Sequence, residues 1–359
     1  MACIQALPST TDDSLLDNLS PGEILRYSRT CRDMHATVRS YVKRRFKLED
    51  ILFRFFPTEL QTLDFRRLMS ETGMIIAGSS ALQFFDRSIY PECDLDLYLP
   101  VASIGHVVDW LEKIGYKYTP KRDQAKSVDR AIRLAYLNRN SRDAKMGLSE
   151  QEVRGYLKAA LVLDMEKDGN SPGRIQLIAS FRSVVELLLC YHSTCVMNFI
   201  THDKAYCLFP RATLDERRSL TFLSRSSRDA QEKEAYEKYT NRGWKLIKTL
   251  PWSEESDPKS SFAPGKRHIG DAKCWSLPIY PRLPDLRKST FHANSFHTIF
   301  DEALILKFQY KHLALPVFFH AYVMEPLEAL SVIRANMAWL VTVSEAKQIS
   351  TDSGPDGDK

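Results

Sequence analysis

Apolar and polar positions change period along this chain, and the changes locate its elements. Gly73 to Ala77 is an apolar run between glycines, too short for a helix, and it predicts a buried strand ending in a tight turn. Gly78, Ser79 and Ser80 form that turn, and Ala81 to Phe85 continues as the first turns of a serine-capped helix. In Asp94-Leu95-Asp96-Leu97-Tyr98 the period is two, so a strand here carries both carboxylates on one face and both leucines on the other. Helical spacing returns from Val101 to Gly115, with Val107, Val108, Trp110, Leu111 and Ile114 apolar and Gly115 as the C-cap. Ala159 to Met165 and Arg174 to Ser180 read as strands, and the Gly-, Asn- and Pro-rich segment between them makes them antiparallel neighbours. Val184 to Ile200 is apolar around most of its circumference, which predicts one or two buried helices under the sheet.

The flanks have their own patterns. In residues 7–56, Ser20-Pro21 is a Ser-cap, Pro-first helix start, and Ile24, Leu25, Cys31, Met34, Val38 and Tyr41 extend an apolar stripe. So short a helical unit needs the rest of the chain or a partner to cover its face. Residues 119–150 predict an exposed charged insertion with one helix near Ala131 to Leu137. Thr213 is placed to cap a helix running through Glu216 and Arg217. Arg228 to Leu250 predicts an exposed charged helix whose less polar positions are Tyr236, Tyr239 and Trp244. Residues 251–289 lack a period and read as a linker or extended arm. Residues 290–347 mix helix and strand signals, with a helix from Glu325 to Val341, and residues 348–359 read as a disordered tail.

Composition adds bounds. The chain has 359 residues, 44% hydrophobic and 26% charged, enough for two or three domains with a sizeable core. Its net charge of +5 has Lys43-Arg44-Arg45 as its one dense block, so nucleic-acid binding is not indicated. Seven scattered cysteines without a Cys-x-x-Cys pair fit a reducing compartment, and Cys190 and Cys195 around His192 read as core cysteines. The N-terminus has no secretory-signal pattern, and no segment approaches the ~20 apolar residues that span a bilayer. A cytoplasmic or nuclear protein without a membrane partner is expected.

Candidate chemistry gathers at the first strand pair. A hydroxyl-bearing turn opening a helix presents backbone N–H groups where a phosphate can sit. Two carboxylates ~7 Å apart on one strand suit a divalent metal. Further along, His192, Asn198, Asp203, Lys204 and Arg211 are candidates to line a pocket, with Lys204 and Arg211 able to pair with phosphate oxygens.

Strand, Gly78-Ser79 turn, helix, and a second strand carrying Asp94-x-Asp96 together resemble the nucleotidyltransferase fold of the polymerase-beta type. The resemblance covers about Leu60 to Leu220, residues 60–220, and implies an α/β (α+β) fold with a mixed sheet and flanking helices. It implies that Asp94 and Asp96 hold Mg2+, that Gly78, Ser79 and Ser80 cradle a nucleoside triphosphate, and that an acceptor hydroxyl attacks the α-phosphate. A third carboxylate belongs on a later strand, where this chain has Gln176, and a neutral amide neither takes a proton nor holds a metal strongly. Losing general-base help typically lowers a rate by ~10²–10⁴. Asp164 is the substitute if it faces the same side as Asp94, which strand alternation leaves open.

Leu7-Pro8, Leu15-Leu16, Leu19, Pro21, Ile24-Leu25, Ser28, Cys31-Arg32 and Val38 resemble an F-box, the helical module that docks substrate receptors onto the adaptor protein of cullin-RING ubiquitin ligases. The alternative is a helical clip packed on the following domain. An F-box-like unit before a nucleotidyltransferase-like domain is a combination associated with fungal proteins. Two readings follow: a metal-dependent nucleotide-binding protein with nucleotidyl transfer, or an inactive substrate adaptor.

Overall fold

The computed structural model describes residues 9–91, 93–139, 159–167, 173–222, 230–314 and 321–335. The N-terminal unit is three helices, α1 (Ser9–Asp17), α2 (Pro21–Ser28) and α3 (Arg32–Arg45). Ser20 caps α2 in a reciprocal box: Ser20 Oγ accepts from the Glu23 amide while the Glu23 carboxylate accepts from the Ser20 amide. Their apolar stripe is used inside the chain. Leu16, Ile24, Val38 and Tyr41 are buried in the same core as the main sheet. Arg87 fastens them, donating to the carbonyls of Leu16 at 3.1 Å and Leu19 at 2.8 Å and to the Tyr41 hydroxyl at 2.5 Å. Leu15 and Leu25 remain 42% and 43% exposed. Leu7 and Pro8 lie outside the described residues.

Helices α4 (Glu49–Leu52) and α5 (Glu59–Thr72) lead to strand β1 (Ile75–Ala77), helix α6 (Gly78–Asp86), strand β2 (Leu95–Pro100), helix α7 (Ile104–Lys113), strand β3 (Tyr116–Tyr118) and helix α8 (Val128–Leu137). Strands β4 (Leu161–Lys167) and β5 (Ile175–Ser180) follow, then α9 (Val184–Leu189), β6 (Asn198–Ile200) and β7 (Lys204–Cys207). After β8 (Arg218–Leu220) come α10 (Ala230–Asn241), β9 (Lys245–Ile247), α11 (Trp252–Glu255), β10 (Gly265–His268) and β11 (Trp275–Pro278). The chain closes with β12 (Ser295–Phe300), β13 (Leu306–Gln309), β14 (Lys311–Leu313), β15 (Tyr322–Met324) and a helix over residues 326–335.

The architecture is mixed α/β around an eight-stranded sheet in the order β11-β7-β6-β1-β2-β5-β4-β3. β2 and β5 are parallel, whereas β1 with β2 and β4 with β5 are antiparallel. Strand alternation sorts the side chains. Leu95, Leu97, Leu99, Leu163, Leu177 and Ala179 join the core shared with the N-terminal helices, α5 and α7. Ile75, Ala77, Tyr98 and Ile178 face the other way, against α9 and apolar residues of the C-terminal strands such as Phe296 and Val323. Asp94, Asp96, Asp164 and Gln176 belong to this second face.

Several sequence expectations change, among them the helix read over Arg228 to Leu250, which ends at Asn241 and is followed by strand β9. Val184 to Ile200 is one short helix and a strand rather than one or two helices: β6 pairs with both β1 and β7, and a strand buried on both faces is as apolar as a buried helix. Thr213 does not cap a helix but lies buried within a single wide helical turn, Arg211–Asp215. The stretch 251–289, read as a linker or arm, supplies β11 to the edge of the main sheet, where Ser276 and Leu277 pair with Tyr206 and Ala205. Four residues ending in a proline give too little alternation to reveal that strand. No helix among the described residues is long and apolar enough to cross a membrane.

Candidate functional site

Gly78 has φ +66°, a left-handed conformation that a residue without a Cβ adopts readily. A Cβ at this position would collide with Oδ2 of Asp96, so the turn and the second acid of the Asp-x-Asp strand are in contact by way of that glycine. The register explains the approach, since Ala77 lies directly opposite Asp96. Helix α6 then starts from an N-cap, Ala77, that offers no side-chain acceptor.

The two serines have separate duties. Ser80 Oγ donates to the Asp94 carbonyl at 3.0 Å and is buried, so it holds the approach to β2 rather than facing a ligand. Ser79 Oγ lies 3.0 Å from the Tyr239 hydroxyl and accepts from Arg242 Nη1 at 3.3 Å. Both partners come from the end of α10, the helix that the sequence presents as a solvated charged face. Tyr239 and Trp244 are buried with Leu82 and Val196, which seats α10 on α6.

Between these elements is a cavity of about 220 Å³, open to solvent and lined by Gly78, Ser79 and Asp96 on one side and Lys238 and Tyr239 on the other. Tyr98, Tyr191 and His192 complete its wall, with the two tyrosine rings edge to face at 5.7 Å and His192 5.2 Å from the Tyr239 ring. Burial, with the Asp94 charge added, pushes the Asp96 carboxyl up to about 7. Burial and the Lys238 charge pull His192 down to about 4, so it is neutral at pH 7 and its Nδ1 shares a hydrogen bond with Ser193 Oγ at 2.9 Å.

The other acids form a network outside the cavity wall. Gln176 sits across from both Asp96 and Asp164 in the sheet. Asp164 therefore faces the same side as Asp96, but its carboxylate is committed: Oδ1 accepts from Gln176 Nε2 at 2.8 Å, and Oδ2 is 3.2 Å from Lys121 Nζ and 3.6 Å from Arg174 Nη1. Asp94 Oδ2 accepts from Arg174 Nη2 at 2.5 Å and from Nε at 3.2 Å. One guanidinium thus reaches both Asp94 and Asp164.

That geometry decides how well the site suits Mg2+, which the nucleotidyltransferase resemblance implies at Asp94 and Asp96. The fit is poor at Asp94, whose Oδ2 is engaged twice by Arg174, and at Asp164, whose oxygens have Gln176, Lys121 and Arg174 as partners. Among the described residues no group of three or more His, Cys, Asp or Glu side chains is arranged to hold a metal ion.

Of the remaining sequence candidates, His192 reaches the cavity and four do not. Lys204 is exposed on β7, opposite Pro278. Arg211 pairs with Glu216 at 2.9 Å and donates to the Lys259 carbonyl at 2.9 Å. Asn198 Nδ2 donates to the Cys195 carbonyl at 2.7 Å, and Asp203 accepts from Thr201 and Ser289 at a turn. Sequence reasoning passed over Arg174, Lys238, Tyr239 and Tyr191. Arg174 was within reach, because it precedes Gln176 by two residues and so shares its face. No protein-family model, curated protein or solved structure matches the chain.

Proposed function

We propose that this chain is a nucleotidyltransferase-like protein that binds a nucleoside triphosphate and no longer transfers it. The observation that carries the reading is the cavity at the Gly78-Ser79 turn, with Asp96 on its floor and Lys238 at its side. Its volume admits a base or sugar rather than a whole triphosphate, and in this reading the base lies against the Tyr98, Tyr191 and His192 wall. The phosphates then lie near Ser79 and the cation Lys238. Loss of transfer follows from Gln176, which stands where the resemblance expects a carboxylate and spends its amide on Asp164.

Calorimetry with each nucleoside triphosphate tests this. The natural chain is expected to bind at least one with micromolar affinity and to release no pyrophosphate, and Lys238→Ala is expected to weaken binding about tenfold, the typical worth of one charged contact. Absence of binding to every triphosphate would sink the reading.

A second reading is supported by Leu15 and Leu25, which stay exposed while Leu16, Ile24, Val38 and Tyr41 pack inward. In it the chain engages a cullin-ligase adaptor through that pair. Removing residues 1–47 would also remove core residues, so the discriminating variant is Leu15→Asp/Leu25→Asp. A pull-down of the adaptor that is indifferent to this change counts against the adaptor reading.

A further inference from the structure

We propose that Arg174 takes the place of a divalent cation between Asp94 and Asp164, so that the acidic cluster is neutralised by the protein itself and the neighbouring cavity receives its nucleotide free of metal. The nucleotide part rests on the reading above; the exclusion of metal stands apart from it.

Three observations lead there. The guanidinium makes two hydrogen bonds to a single oxygen of Asp94, at 2.5 and 3.2 Å, and its third nitrogen stands 3.6 Å from Asp164. A cation with two positive contacts on one carboxylate and one on another does what a bridging metal does for charge, and its geometry is fixed by a planar fork. The backbone holds it there, because the Leu95 amide donates to the Arg174 carbonyl at 3.0 Å, extending the β2–β5 ladder by one residue.

The second observation is that Asp164 has its remaining needs met by Lys121 at 3.2 Å and by the Gln176 amide at 2.8 Å. A metal entering this cluster at Asp94 Oδ2 would have to displace a guanidinium that holds this oxygen through two hydrogen bonds. Removing one partner of a satisfied, partly buried charge network is unfavourable. The third is the placement of Lys238 on the cavity wall, supplying in the same cavity as Asp96 a positive charge that a metal ion accompanying the phosphates would otherwise bring.

Manganese gives a direct probe, because free and bound Mn2+ differ in electron paramagnetic resonance amplitude. The natural full-length chain is expected to leave the Mn2+ signal unchanged up to millimolar metal, and Arg174→Met is expected to bind Mn2+ through the released Asp94. Triphosphate affinity measured in EDTA and in excess Mg2+ is expected to agree within about threefold for the natural chain, well under the tenfold that 1.4 kcal/mol represents. Stoichiometric Mn2+ binding by the natural chain that Asp94→Asn abolishes would overturn the proposal. So would an Arg174→Met chain, folded by circular dichroism, that stays as silent toward Mn2+ as the natural one. Triphosphate binding seen only with Mg2+ overturns metal-free binding while leaving the nucleotide reading in place. Silence toward triphosphate in both buffers overturns that reading and the metal-free binding drawn from it, and the Mn2+ results then decide the role of Arg174 alone.

Discussion

Ser79 Oγ and Tyr239 Oη lie 3.0 Å apart, joining the turn after β1 to a helix 160 residues later in the chain. Tyr239 is buried beside Leu82 and Trp244, so the contact locks the cavity's two walls together in a dry setting. Tyr239→Phe keeps the ring and leaves Ser79 with Arg242 as its partner. A loss of about 0.5–1.5 kcal/mol is expected, the usual net worth of one such bond, against about 3–5 kcal/mol for Tyr239→Ala, which also empties the packing site. Urea unfolding of the two variants measures both; a Tyr239→Phe chain as stable as the natural one would mean that the hydroxyl contributes nothing.

Gly78 invites a paired test. Gly78→Ala combines a left-handed φ with a collision against Asp96, so it should destabilise by about 2 kcal/mol or more, the cost of a strained φ and a displaced side chain together. Gly105, in the first turn of α7, has nothing within 4 Å of a built Cβ. Gly105→Ala is expected to stabilise by up to about 0.5–1 kcal/mol through helix propensity alone. Thermal melts of the two should shift in opposite directions.

The elements that define this site were legible in sequence because each depends on local chemistry. Gly78 announces a left-handed turn, and Asp94-Leu95-Asp96-Leu97 shows the two-residue period of a strand with one polar face. What was illegible depends on pairing across the chain. Nothing within Val196 to Ile200 distinguishes a central strand from a buried helix until β1 and β7 are known to flank it. Lys238 and Tyr239 sit in a helix whose composition is that of a solvated surface, and their sharing a cavity with Ser79 follows from where α10 lands, guided by the buried Trp244, whose indole donates to the Thr213 carbonyl at 2.8 Å. Lys204 and Arg211 do not line this cavity for the same reason in reverse, since residue type alone put them forward.

Acid sensitivity should trace to Arg218. Its hydrogen bonds at 2.7 and 2.9 Å hold the Glu254 carboxyl below its ordinary range, and at Glu216 burial is outweighed by the same guanidinium and by Ser261. Carboxyls with folded values below their unfolded ones contribute stability that is complete above about pH 4.5 and lost as pH falls through the folded values. Arg218→Met is therefore expected to cost about 1–3 kcal/mol at pH 7, scaled down for partial exposure, and much less at pH 3. Parallel urea titrations at the two pH values check it; a penalty that does not shrink on acidification would assign the effect of Arg218 to packing over Phe262 instead.

Gln176 offers the test that separates its two roles, as a lost catalytic carboxylate and as a structural donor. The amide donates to Asp164 at a place where Gln176 is 8% and Asp164 4% exposed. Gln176→Glu restores the residue type that the nucleotidyltransferase resemblance calls for but sets two carboxylates against one another out of water. The introduced carboxyl then holds its proton more tightly in the folded chain than in the unfolded one. The folded state binds more protons between the two values, so stability falls as pH rises through that window. The variant is expected to match the natural chain near pH 5 and to be weaker by about 2 kcal/mol near pH 8, the scale of a desolvated like-charge pair after partial relief by Lys121 and Arg174. Unfolding curves at the two pH values decide between the roles. A Gln176→Glu chain as stable as the natural one at pH 8 would mean that Lys121 and Arg174 already carry charge for a second acid, and the amide would then have no structural reason to be there.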